Sequence, residues 1–155
     1  MELRFKIAEI NDTDKLLEFM RELYEYDHIA FDESLARSTL TQFLQDHALG
    51  YAWLIHLDEQ KIGYVVLTLG YSLEWHGRDA FVDEFYIREN FRAQGWGKKV
   101  IEFIAGFCRE QGVQALHLEV QPENSRAYRF YQKAGFVDYQ RFLMTKRIGD
   151  SPTAP

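Results

Sequence analysis

Cysteine is nearly missing from these 155 residues: Cys108 stands alone, so no disulfide can form within the chain. No apolar run approaches the roughly 20 residues of a membrane-crossing helix, and the opening MELRFKIAEI lacks the apolar centre of a secretion signal. Positive charge is short as well. Eighteen Lys and Arg face 24 Asp and Glu, a net charge of -6. That balance argues against a nucleic-acid binder, which must neutralise phosphates, and suits a protein that meets a cationic substrate. The histidines at 28, 47, 56, 76 and 117 show no His-x-x-x-His or cysteine-partnered spacing, so no metal site is expected. Cys108 sits on the apolar face of its segment, as a core residue does. Repeats, low-complexity tracts and linker composition are absent too. The expectation is a soluble, cytoplasmic single domain over residues 1–148, with no membrane partner and a mobile tail over 149–155.

What is present is aromatic mass, 12 Phe, 9 Tyr and 3 Trp, enough for a large core and for pocket walls. The hydrophobic period switches repeatedly along the chain. LRFKIAEI alternates as a strand over 2–9, and Asn11, Asp12 and Thr13 offer caps for a helix carrying Leu16, Leu17, Met20, Leu23 and Tyr24. A second helix is predicted over about 33–46. YAWLIHLDEQKIGYVVLTLGYSL reads as a hairpin turning at Asp58-Glu59-Gln60, and AFVDEFYIRE as a fourth strand. Residues 95–111 form an amphipathic helix ended by Gly112, ALHLEV a fifth strand, and Asn124 to Ala134 a last helix closed by Gly135. Residues 136–147 supply one or two final strands. The order predicts an α/β or α+β domain with a mixed sheet.

Between the fourth strand and the amphipathic helix stands RAQGWGKK, residues 92–99. A dinucleotide fingerprint needs a third glycine, which Gly95-Trp96-Gly97-Lys98-Lys99-Val100 lacks. A P-loop needs Gly-Lys followed by Ser or Thr, and here Lys99 follows Gly97-Lys98. What remains is R-x-x-G-x-G at the mouth of a helix. Such a turn aims successive N–H groups at the positive end of the helix, a cradle for a pyrophosphate. By itself it is equally well a strand-to-helix turn in which glycine relieves crowding.

A second element lies downstream. EVQPENSRAYRFYQKAGF presents Asn124, Ala127, Phe130, Tyr131, Ala134, Gly135 and Phe136. The two patterns in this order strongly resemble the GNAT family of acetyl-CoA-dependent N-acetyltransferases. The specific motifs occupy roughly residues 80–136. The resemblance implies the GNAT fold: a central mixed, mostly antiparallel sheet of six to seven strands, about four flanking helices, and a splay between strands 4 and 5. It implies acetyl-CoA as co-substrate, with the pyrophosphate on Arg92, Ala93, Gln94, Gly95, Trp96, Gly97 and Lys98. The pantetheine arm would pair with Phe85, Tyr86 and Ile87 and meet Asn124, which also suits a helix cap.

Tyr131 matches the tyrosine that many members use as general acid, and so also lies at the coenzyme. A phenol near the departing thiolate can protonate it. The attacking amine must first lose a proton, and Asp83 and Glu84 are the candidate bases, with side chains on opposite faces of a regular strand. Either remains open, Asp83 in line with an acidic residue of the polyamine branch. Tyr24, Glu25, Tyr26 and Asp27 resemble the Tyr-Glu-Tyr segment of the spermidine/spermine acetyltransferases, and Trp75 stands on the opposite wall; these are the candidate substrate contacts. The implied activity is direct acetyl transfer to a primary amine of a small cationic molecule: a diamine, polyamine or amino-acid-like amine. Peptide N-acetylation and a non-catalytic acyl-CoA sensor on the same fold are the alternatives. A homodimer is expected from the family.

Overall fold

A computed structural model describes residues 1–150; residues 151–155, most of the expected tail, lie outside it. Strand β1 (Leu3–Ile7) leads through a short 3-10 turn into α1 (Thr13–Tyr26) and α2 (Glu33–Gln45). Three long strands follow, β2 (Gly50–Leu57), β3 (Gln60–Ser72) and β4 (Gly77–Ile87). Helix α3 (Trp96–Glu110), the short β5 (Ala115–His117) and α4 (Ser125–Lys133) complete the described elements. The strands lie in chain order in one five-stranded sheet. β1 to β4 pair antiparallel, and β5 joins β4 in parallel, the direction a helical crossover imposes. No described helix is long and apolar enough to cross a membrane.

Alternation along the strands sorts the core into two layers. Trp53, Ile55, Val65, Leu67 and Val82 face α3 and pack on Val100, Ile104 and Cys108. Ala52, Leu54, Tyr64, Val66 and Tyr86 face α1 and α2 and pack on Leu16, Leu17, Phe19, Leu40 and Leu44. Fully burying one such leucine contributes about 1.5–3 kcal/mol, so each helix is held chiefly by its apolar stripe. The ends are fixed locally. Asp32 Oδ1 accepts the Leu35 amide at 3.1 Å and Asn124 Oδ1 that of Ala127 at 3.1 Å, capping α2 and α4. Burial pushes the Cys108 thiol up to about 11, which keeps it protonated as a core residue.

Two irregularities shape β4. Leu67 pairs with Val82 and Val66 with Glu84, so Asp83 is the extra residue of a β-bulge. Strict alternation between Asp83 and Glu84 therefore fails, because a bulge inserts one residue and resets the pleat. Second, β5 pairs only with Asp79, Ala80 and Phe81, while β4 runs on to Ile87. The two strands splay apart from there, as the fold resemblance requires.

The strand count needs correction. The sheet has five strands, not six to seven. β5 stops at His117, so Leu118 to Val120 of the expected ALHLEV strand leave the ladder at the splay. Residues 136–147 form no strand, although their side chains suit one. A strand exists only when its backbone groups find a neighbour, and this segment meets none within the described chain.

Candidate active site

The splay opens a cavity of about 890 Å³. Phe85, Tyr86 and Ile87 of β4 form one wall. Glu119, Val120 and Gln121, just past β5, form the other with Asn124, which caps α4, and with Ala127 and Tyr131 along that helix. Arg92, Ala93, Gly95, Trp96 and Gly97 close one end, and Tyr26, Asp27 and His28 come down from the end of α1. An elongated ligand with an anionic end fits such a slot, its anion on the turn and its chain between the splayed strands.

The turn explains its own residues. Ala93 (φ 61°) and Gly95 (φ 85°) are both left-handed, and Gly95 caps α3 in that conformation. Nothing stands within 4 Å of a Cβ placed on Gly95, so its backbone angle, not space, calls for glycine. A Cβ on Gly97 would lie 3.5 Å from Phe130, so this glycine sits where α4 comes up against α3. The first N–H groups of α3 have no intrahelical partner, and such groups at a helix start can receive an anion. Arg92 turns back: its Nε donates to the Ile87 carbonyl at 2.6 Å and its guanidinium lies over Tyr26 and Tyr86. It braces the turn against β4. The buried Trp96 Nε1 has no hydrogen-bond partner among the described residues, while its ring packs on the α3-side core. Gln94 and Lys98 lie outside the cavity lining: Gln94 donates to the Asn90 carbonyl at 3.3 Å, and Lys98 is exposed beside Glu102.

Tyr131 projects from α4 into the cavity, its ring edge-on to Phe130 and Phe136. Burial raises its phenol above the usual value, so it holds its proton at neutral pH.

Two residues before Tyr86 on β4, Glu84 faces α1. Tyr64 Oη donates to its Oε1 at 2.8 Å, and Tyr24 Oη donates to its Oε2. Burial raises the Glu84 carboxyl, the two phenols oppose that rise, and the charges of Asp83 and Asp27 add to it. The net result lies above the ordinary carboxylate range, and no cation figures among these influences. Asp83, at the bulge, keeps access to solvent, yet loss of water around it raises its carboxyl too. Its charge reaches Tyr24 and Tyr64, raising both phenols after burial and Glu84 have done so.

The structure thus gathers Tyr24, Asp83 and Glu84 on one side and Tyr26 and Asp27 at the rim of the cavity. Glu25 is exposed and joins neither group. Trp75 lies in the β3–β4 turn, packed near Tyr139 and His117. Sequence reasoning missed Tyr64, fully buried with its hydroxyl spent on Glu84. A phenol at a core-facing strand position needs a polar partner, and that was the available signal. It also missed His28 and Glu119 to Gln121; the last three sit where the splay begins, just before Asn124.

Comparison with known proteins agrees with this geometry. The acetyltransferase (GNAT) family profile matches residues 14–136. A thialysine N-epsilon-acetyltransferase of Bos taurus is 28% identical over 142 residues, covering 84% of this chain and 82% of its own. A D-amino-acid N-acetyltransferase of Saccharomyces cerevisiae, HPA3, is 23% identical over 134 residues, covering 84% and 83%. Among solved structures, an integron cassette protein from the mobile metagenome of Cole Harbour Salt Marsh superposes with a TM-score of 0.84 at 31% identity, over 95% of this chain and 91% of that one. A predicted acetyltransferase of Clostridium acetobutylicum, solved with acetyl-CoA, shares the fold at a TM-score of 0.77 and 14% identity, over 94% and 96%. With a family profile spanning most of its length and a slot where the family's coenzyme would lie, this chain belongs to the GNAT family of acetyltransferases and is an acyltransferase enzyme.

Proposed function

We propose that the protein transfers the acetyl group of acetyl-CoA directly to a primary amine of a small cationic molecule, a diamine, polyamine or amino-acid-like amine. One observation carries the acceptor class: Asp83 and Glu84 stand on β4 just before the stretch that lines the slot, and the hydrogen bonds to Glu84 come from two neutral phenols, not from a cation. A carboxylate partly withdrawn from water, as Glu84 is, without a hydrogen-bonded countercharge favours a ligand that brings one. The relative that acts on thialysine, by its name, points the same way.

In this reading the chain's residues divide the work. Glu84, both oxygens occupied by phenols, is the fixed negative charge that draws the ammonium in. Asp83, open to solvent, takes the ammonium proton directly or through a water, and the freed lone pair attacks the thioester carbonyl. The N–C bond forms as the carbonyl becomes an oxyanion, which a backbone N–H at the β4 bulge can stabilise. On collapse the C–S bond breaks, the nitrogen sheds its second proton to solvent to leave a neutral amide, and Tyr131 gives its proton to the departing sulfur, to be reprotonated from solvent. Asn124, Ala93 and the opening N–H groups of α3 hold the coenzyme while this proceeds.

The test is thiol release from acetyl-CoA across a panel of amines and peptides. Turnover is expected with small diamines and amino-acid-like amines. Turnover confined to peptides, or tight acetyl-CoA binding without turnover, overturns the reading. Tyr131→Phe should lower kcat about 100-fold, within the usual span for a proton-transfer group, with acetyl-CoA affinity unchanged.

A further inference from the structure

The sheet face that carries Glu84 is covered only in part. Ala52, Leu54, Tyr64, Val66 and Tyr86 lie under α1 and α2. Thr68 and Gly70 of β3, with their cross-strand partners Phe81 and Asp79 of β4, alternate with Leu67, Leu69, Ala80 and Val82, which pack toward α3. They therefore share the Glu84 face, beyond the helices, and none of the four is fully buried. β5 extends the same floor. Leu116 packs toward α3, so His117 looks the other way, and its ring lies 6.3 Å from that of Phe81. An open floor thus leads along β4 from Asp83 over Phe81 to Asp79 and His117.

The far end of this floor is shaped to hold a charge. His117 Nε2 donates to Asp79 Oδ2 at 3.1 Å. Asp79 Oδ1 has no hydrogen-bond partner among the described residues and stands over Gly70, where a Cβ would lie only 2.8 Å from it. A side chain at position 70 would push that oxygen aside, so the glycine keeps it available. Trp75, from the β3–β4 turn, stands 6.2 Å from the His117 ring, with Tyr139 5.6 Å from Trp75. Arg141, brought to the same turn, is spent on Glu74 in a bidentate pair at 2.9 and 2.7 Å. A carboxylate with a free oxygen beside aromatic faces suits an ammonium group.

We propose that Asp79 is a specificity-determining residue that seats a second positive charge of the acceptor. Asp79 and Asp83 are separated along β4 by a short run that includes the bulge, which sets their carboxyl groups on the order of 10 Å apart. The favoured acceptor is an extended diamine of that span. One nitrogen reacts at Asp83, the other is anchored at Asp79, and the methylene chain lies over Phe81. Shorter amines reach one end only and bind more weakly. The inference rests on the proposed transfer to a cationic amine and adds the length and second charge of that amine.

The probes are octamethylenediamine and the amino alcohol of the same length, which differ only in the far group. The wild type should show a KM about tenfold lower for the diamine, one charge-assisted hydrogen bond's worth. Asp79→Asn should raise the diamine KM about tenfold, with kcat and the amino-alcohol KM unchanged. Gly70→Ala, which crowds Oδ1 without changing charge, should act in the same direction. Calorimetric titration of the diamine into the CoA-loaded protein reads the seat without turnover. Equal KM values for the two probes in the wild type, or a preference that survives Asp79→Asn, overturns the seat. So does an equal loss for both probes, which a merely structural role would produce. If no amine is acetylated but the diamine binds, and Asp79→Asn weakens that binding, the seat stands and the transfer reading fails.

Discussion

At the turn of residues 92–97 the groups offered to the cavity are backbone N–H groups, set by the left-handed angles of Ala93 and Gly95. Around Glu84, on the α1 side of β4, they are side chains, with two phenols and two carboxylates drawn from α1, β3 and β4. The difference separates two kinds of specificity. A backbone cradle holds any ligand with the right anion and tolerates most side chains nearby, so one coenzyme can be shared across a large family. A cluster of side chains depends on each member, so a single substitution within it changes its shape or its charge.

The comparison breaks most sharply at Asp83. Asp83→Asn keeps the shape and removes the base, and kcat for amine acetylation should fall about 100- to 10,000-fold while acetyl-CoA affinity holds. A fall in acetyl-CoA affinity instead would place Asp83 on the coenzyme side. On that side, Gly95→Ala forces a β-carbon into a left-handed angle at a cost of about 1–2 kcal/mol. Acetyl-CoA affinity, read by calorimetry, should drop about tenfold with the amine KM little changed. The finest effect is on pH dependence. The acid limb of the rate profile follows protonation of the acceptor-side carboxylates, which burial raises, so it lies above the ordinary carboxylate range. Tyr64 opposes that rise by donating to ionised Glu84. Tyr64→Phe should therefore move the acid limb upward and leave the alkaline limb in place; an unmoved acid limb would separate Glu84 from the rate.

Much of this was legible beforehand, because the signals are local. Helix periods, the R-x-x-G-x-G turn and the Asn124 cap each sit within a few residues, and the structure keeps them where the periods place them. Trp75 was legible as a loop aromatic, but its packing on Tyr139 and near His117 was not, since loop direction depends on contacts between distant segments. Tyr64 escaped notice because its partner stands 20 residues away, across a strand pair whose register includes a bulge. The final strands were misread for the opposite reason: their sequence is strand-like, but strand formation is a property of pairs.

The sequence by itself determined the family, the order of elements and the glycine turn at the start of α3, because these rest on spacing within continuous stretches. Tertiary structure alone decided that a bulge at Asp83 breaks the alternation with Glu84, that Tyr24 and Tyr64 occupy both Glu84 oxygens, and that β5 pairs with β4 over only three residues before the two splay. Each of these depends on hydrogen bonds between segments far apart in the chain, and such bonds leave no mark in the period of either segment alone.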